Sequence, residues 1–540
     1  MASAHTQASS LAIQVLEGGG NAFDAAFALA FSLCVSHPQA GNIGGGGYLV
    51  YREGRQTPRA INFREQAPRG ATREAFMLPD GTPDPDKTAF GPMSVCVPGT
   101  VKAFFTLQER HGRLNAKDLM TTLARLAEGG APLTKYEAEC MNRLGPRLAA
   151  SPEASKHYVR DTPWAAGDLL RNPALARTFH VLAREGEAAF YRGSIAEQMV
   201  ADLTKNGGFL SMEDLASYEL RESEAISLEI AGRRVWTVPP EGGGAMLLEL
   251  LGVLDRDEVR RHPWGSPGFH HYLAQASKLA FIGRREYLGD VPVASNEAYR
   301  QIFDPAALAR RFACLDAVRD TPTDLLSEKI GALSGKPGRD AGKNTTHFAV
   351  IDAEGNAVSC SYTMNLRYGS KWAIEGAGFL VNGSMDSFSF VEGRENYFGV
   401  IGSAPNLFAP GKRPASNMAP TLVTRGEETE MALGTPGGPT IPTALGALLA
   451  ATLFHGLAPE KAVAAARLHH QGWPDKYSHE PGFPDASLLE ALTAMGYTVK
   501  DKQELISDIQ GVFRDGDAYL AVSDWRREGK ALASPLEPGS

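Results

Sequence analysis

The stretch 342–368 constrains this chain more than any other. Upstream of it, residues 333–343 read LSGKPGRDAGK, a mixture of Gly, Pro and charge without apolar periodicity, which marks an exposed loop. Residues 348–351 and 357–363 are two apolar-rich strand runs joined across DAEGN, a hairpin-type connection. The loop therefore delivers Thr345, within Asn344-Thr345-Thr346-His347-Phe348, straight onto the first strand of a sheet. A Thr hydroxyl is a poor nucleophile unless a base stands beside it, and a free α-amine with an unperturbed pKa near ~8 can be that base. One cut between Asn344 and Thr345 would supply nucleophile and base on a single residue. The plainer alternative is an ordinary loop-to-strand junction.

Helices and strands are interleaved along the rest of the chain, and no repeat of fixed period is present. Residues 7–16 have helical apolar spacing and stop at a Gly triplet; Asn21 is placed to cap a second, apolar helix that His37-Pro38 ends near Ser36. Gly44 to Gly47 lead into a strand over 48–51. They follow a helix and precede a strand, the reverse of the dinucleotide-binding order, so close backbone packing is the better reading. Residues 225–230 and 233–238 alternate as a hairpin before an apolar helix over 245–254. Further helices are expected over 440–455, 459–470 and 486–495, and a closing hairpin over 511–522. His469 and His470 fall on one of these helices as adjacent residues, which do not face a common site. No metal is expected, and no cofactor.

Composition excludes several classes of function. A net charge of −8 and a pI near 6.0 give no basic footprint for nucleic acid. The longest apolar runs, 25–35 and 444–454, are too short to span a bilayer, and the first twenty residues lack the basic-then-apolar pattern of a signal peptide. A cytoplasmic protein is the simplest expectation, or an exported one whose leader has been removed. The five cysteines are odd in number and scattered, which favours buried thiols over disulfides.

Several stretches, in order, carry a resemblance. They are HPQAGNIGGGG from His37, NFRE from Asn62, VPGT from Val97, GGFL from Gly207, TTHF from Thr345, YTMN from Tyr362, KRP from Lys412, PGG from Pro436 and HHQ from His469. Together they resemble the γ-glutamyltranspeptidase family of N-terminal-nucleophile (Ntn) hydrolases over nearly the whole chain. The resemblance implies an α+β fold, a four-layer αββα sandwich of two stacked antiparallel sheets. It also implies a cut that divides the chain into segments 1–344 and 345–540, interleaved in one fold as a heterodimer from one precursor. Thr345 would be the nucleophile, Thr363 the second threonine that hydrogen-bonds it, and Gly437 and Gly438 the backbone donors of an oxyanion hole. Arg64, Ser416 and Asn417 would grip a substrate carboxylate, and Asn365 an α-amino group. The partners implied are a small-molecule amide and a water or amine acceptor. An uncut binding protein on the same fold is the competing class.

The chain departs from the family pattern where specificity is set. A Ser-Ser-Met triplet becomes Ser416-Asn417-Met418, a mild change because Asn still donates hydrogen bonds. Met-Asp-Asp-Phe becomes Met385-Asp386-Ser387-Phe388, which removes the carboxylate that would pair with an α-ammonium, and Ser384 replaces a polar residue that usually assists. Losing one partner of a desolvated charge pair costs ~2–5 kcal/mol. The expected acyl group thus keeps a carboxylate, held by Arg64, but lacks or poorly uses an α-amine, as in glutaryl amides or small carboxylated amides such as oxamate. A γ-glutamyl preference would survive if Asp386 took over the amine.

Overall fold

The computed structural model describes residues 1–332, 345–394, 396 and 401–534. The loop 333–343 and Asn344 lie outside them.

Period-two burial places the central sheet between two cores. Leu49, Tyr51, Phe348, Val350, Val358 and Cys360 face one core; the intervening Tyr48, Val50, Ala349 and Ile351 face the other. That sheet has seven strands, ordered Lys530–Ala531, Ala2–Ser3, Thr346–Ile351, Ala357–Thr363, Gly46–Arg52, Arg59–Asn62 and Arg221–Glu224, with every neighbour antiparallel. A second antiparallel sheet of six runs Ala518–Ser523, Gln510–Asp515, Glu428–Gly434, Thr421–Arg425, Arg233–Thr237 and Ile226–Ile230. The two sheets are stitched at Ser359, whose buried hydroxyl donates to Leu433 O at 2.9 Å and accepts from Thr421 N at 2.9 Å. Helices close both outer faces, so the molecule is an α+β sandwich of stacked antiparallel sheets.

The helix Ala22–Ser36 is buried on every side, because its fifteen residues are nearly all apolar, and it starts at a reciprocal capping box between Asn21 and Asp24. It packs with Thr100–His111 under the seven-stranded sheet. On the far side Gly244–Leu254, Pro267–Tyr287 and Thr440–Leu453 cover the six-stranded sheet. The hairpin expected around 348–363 forms as Thr346–Ile351 with Ala357–Thr363, and the closing hairpin forms as Gln510–Asp515 with Ala518–Ser523.

One expected element is corrected. The helix over 459–470 stops at Ala464, and Leu468–His469 is a short strand. The Ala-rich run favours helix, but Arg467 is drawn inward to Asp524 at 2.7 Å and donates to the carbonyls of Ile506 and Val463, which the continued helix would not allow. His469 and His470 are therefore not on a helix. His469 Nδ1 bonds Thr443 Oγ1, while His470 sits 3.1 Å from Asp475. The described cysteines carry no disulfide. No described helix is long and apolar enough to cross a membrane.

Candidate active site

The ladder between Thr346–Ile351 and Ala357–Thr363 pairs Thr346 with Tyr362. Carried one residue further, this register sets Thr345 opposite Thr363, and both side chains line one small cavity of about 50 Å³. Both residues are nearly fully buried, at 4% and 3% exposure, so their hydroxyls are shielded from bulk water.

The opposite wall comes from the turn before the helix Thr440–Leu453. Gly438 lines the cavity, and Gly437 sits behind it. Gly437 has φ +142°, and a Cβ there would lie 2.3 Å from Thr440 Oγ1 and 2.7 Å from Ser507 Oγ, so only glycine fits. The amides of Gly437 and Gly438 donate to no acceptor among the described residues, while their carbonyls accept from Thr440 N and Ile441 N. Two unused N–H groups at a helix N-terminus are suited to hold developing negative charge.

A hydrogen-bonded chain crosses the cavity floor. Asn365, at φ +73°, donates its backbone N–H to Thr363 Oγ1 at 2.9 Å. Its Oδ1 accepts from Ser387 Oγ at 2.9 Å, and Ser387 Oγ in turn accepts from Arg64 Nη2 at 2.9 Å. Arg64 Nη1 donates to Glu65 Oε2 at 2.6 Å, and Ser384 Oγ donates to Glu65 Oε1 at 2.8 Å. An Arg next to a Glu is commonly a surface pair; here both are buried and the pair is closed. Arg64 Nε is buried and meets no acceptor among the described residues.

Ser416 and Asn417 line the same cavity, and Asn417 Oδ1 accepts from Arg284 Nε at 3.0 Å. That leaves the Asn417 NH₂ group as a donor. Arg284 lies on the helix Pro267–Tyr287 and is itself part of the cavity wall; burial lowers its pKa to about 10. The structure thus brings Thr345, Thr363, Gly438, Arg64, Asn365, Ser387, Ser416 and Asn417 to one place. Asp386 is not among them: it lines an adjoining, larger cavity of about 280 Å³, which shares Arg284, Ser387 and Asn396 with the first. Arg284 and Asn396 escaped the sequence reading. Arg284 is one of two adjacent arginines on a long helix, and no periodicity marks which of them turns inward. No described cluster of His, Cys, Asp or Glu is arranged to hold a metal ion.

Comparison with known proteins places this geometry in context. The sequence profile of the gamma-glutamyltranspeptidase family matches residues 8–534. The glutathione hydrolase proenzyme of Pseudomonas aeruginosa is 36% identical over 528 residues, covering 97% of this chain and 92% of that protein. The Escherichia coli K12 glutathione hydrolase proenzyme is 34% identical over 538 residues, covering 96% and 89%. Among solved structures, the cephalosporin acylase of Bacillus halodurans superposes with a TM-score of 0.83 over 99% of this chain and 96% of that one; at 24% identity this likeness speaks for the fold alone. The Helicobacter pylori gamma-glutamyltranspeptidase chain, 30% identical, matches 59% of this chain and 92% of its own with a TM-score of 0.57.

Proposed function

Because the chain belongs to the γ-glutamyltranspeptidase family of Ntn hydrolases and is an enzyme of that family, we propose that it cuts itself before Thr345. The Thr345 it frees then cleaves amides of carboxylate-bearing acyl groups that lack an α-amine. The observation that carries the substrate half is the cavity lining. Thr345 shares it with Arg64 and Arg284, but no acidic side chain lines it among the described residues. An α-ammonium would be desolvated there without a counter-ion, whereas a carboxylate finds arginine and amide donors.

In this reading the Thr345 α-amine takes the hydroxyl proton as Oγ attacks the amide carbonyl, and Thr363 orients that hydroxyl. The oxyanion is received by the amides of Gly437 and Gly438. The tetrahedral species collapses as the α-amine returns the proton to the leaving amine, leaving an acyl ester on Thr345. Water or an amine then takes the acyl group by the same steps reversed. Arg64 and Asn417 hold the acyl carboxylate, and Asn365 and Ser387 fix Arg64. The names of the curated relatives, glutathione hydrolase proenzymes, support the cut. They also favour a second reading, in which the acyl group is γ-glutamyl and Asp386 moves over from the adjoining cavity to meet the amine.

Two measurements test these statements. Denaturing gels and intact masses of wild type and Thr345→Ala should show two fragments in the first and one chain in the second; a wild type that stays whole overturns the cut. Turnover of glutaryl and γ-glutamyl p-nitroanilides should favour glutaryl, and a clear γ-glutamyl preference moves the assignment to the second reading.

A further inference from the structure

Seven arginines are buried among the described residues, and six have either an acidic partner or three acceptors. Arg64 meets Glu65 at 2.6 Å, Arg311 meets Glu249 at 2.5 Å, Arg467 meets Asp524 at 2.7 Å, and Arg526 meets Glu480 at 2.5 Å. Arg52 and Arg413 each donate to three acceptors. Arg284, only 7% exposed, donates once, from Nε to Asn417 Oδ1. It has no acidic partner among the described residues; burial disfavours its charge, and the neighbouring Arg285 adds a smaller repulsion. A guanidinium has five N–H donors and does not give up its charge in a protein. Held at one amide oxygen and set in the cavity wall, the Arg284 guanidinium keeps donors for an anion.

The position of Arg284 says which anion. It lines the cavity that holds Thr345 and also the larger cavity beside it, at their shared wall with Asn417. The charge count of the smaller cavity points the same way. Glu65 cancels Arg64, and no described lining residue cancels Arg284, so the described lining has one net positive charge. A des-amino acyl group with one carboxylate neutralises it; a zwitterionic γ-glutamyl group does not.

We propose that Arg284 is a specificity-determining residue that binds the acyl carboxylate directly, beside the Asn417 amide, and that the substrate class is the monoamide of a short dicarboxylic acid. Arg64, already held by Glu65 and Ser387, adds little net charge. This deepens the des-amino reading given above and rests on it for the substrate class. The assignment of Arg284 stands on its own unmet donors.

The test compares glutaryl and valeryl p-nitroanilides, acyl chains of equal length with and without the carboxylate, in wild type, R284M and R284K. In R284M the ratio of glutaryl to valeryl kcat/KM should fall about 100-fold, mainly through KM, and R284K should recover part of it through its charge without the planar fork. Competitive inhibition by glutarate should weaken by a similar factor in R284M. An unchanged ratio with both substrates slowed alike would show a purely structural role and overturn the proposal. So would an R284M effect that follows the leaving group instead, seen by exchanging p-nitroanilide for its 3-carboxy analogue on the same acyl chain. A wild-type preference for γ-glutamyl over glutaryl would overturn the des-amino reading, while the R284M ratio would still decide separately whether Arg284 binds the carboxylate. Thermal melts of both variants confirm that folded protein is compared. If R284M does not fold, R284K and N417A are read by the same ratio, and an unchanged ratio in both overturns the assignment.

Discussion

Ser387 occupies a junction in the cavity lining. Its hydroxyl joins Arg64 Nη2 to Asn365 Oδ1, and in the family's usual pattern a carboxylate would stand at this place. Ser387→Asp should keep the bond to Arg64, turn the Asn365 amide so that its NH₂ faces the new carboxylate, and raise the γ-glutamyl to glutaryl turnover ratio by at least about tenfold. Paired kcat/KM values check it. Gly437 offers a second case. Its φ of +142° and the 2.3 Å approach of a would-be Cβ to Thr440 Oγ1 mean that Gly437→Ala must push the turn out of shape. If the turn aims the oxyanion donors, kcat falls about 100-fold with KM little altered; steady-state kinetics of the folded variant decides. Thr345, Thr363, Arg64 and the glycine pair were legible because their order along the chain matches a family pattern. Arg284 was not, since Arg284 and Arg285 look alike in the sequence and only tertiary packing turns one of them toward the cavity.

The hairpin is the element on which the site depends, and most of it could be read in advance. Alternating apolar runs around a turn-rich DAEGN leave little choice but two antiparallel strands. The sequence could not show what lies on the second face. Ser359 bridges to the other sheet, and His347, buried two residues past Thr345, bonds Ser361 Oγ at 2.8 Å. Ser359→Ala would remove the side-chain acceptor of Thr421 N in a dry interface, which costs about 1–3 kcal/mol. Denaturant unfolding of the variant should show a midpoint lowered to match. The misread helix over 459–470 teaches the converse. Helical propensity was present throughout, and a long-range ion pair from Arg467 to Asp524 overrode it; no local pattern announces such a partner.

At the scale of the whole molecule, buried imidazoles set the acid limit of stability. Burial pushes His347 down to about 3 and His270 and His470 to about 4, so all three stay neutral in the fold while an unfolded chain would protonate them near ~6.5. The unfolded state then binds more protons in this interval, and stability is lost as pH falls from ~6.5 toward 4. Asp508 works against this. Its carboxyl, raised by burial to about 7, holds a proton in the fold that the unfolded chain gives up, so it gains stability as pH falls. His37, His271 and His455 are lowered by desolvation too, while raised carboxyls at Glu187, Glu241, Glu249, Glu286 and Asp320 side with Asp508. Replacing His347 by a non-titrating Gln should therefore flatten the acid decline in melting temperature, read from pH ~6.5 to ~4.

The strand order has a last consequence. In the seven-stranded sheet, Ala2–Ser3 lies between Lys530–Ala531 and Thr346–Ile351, and Gly46–Arg52 pairs with Ala357–Thr363. A break before Thr345 would therefore leave two polypeptides woven through each other, unable to part without dismantling both sheets. Dilution should not separate them. Once unfolded, however, the halves must find one another in solution, so recovery from denaturant should slow with dilution for the nicked protein and not for an uncut Thr345→Ala chain. The break would thus turn a unimolecular folding reaction into a bimolecular one.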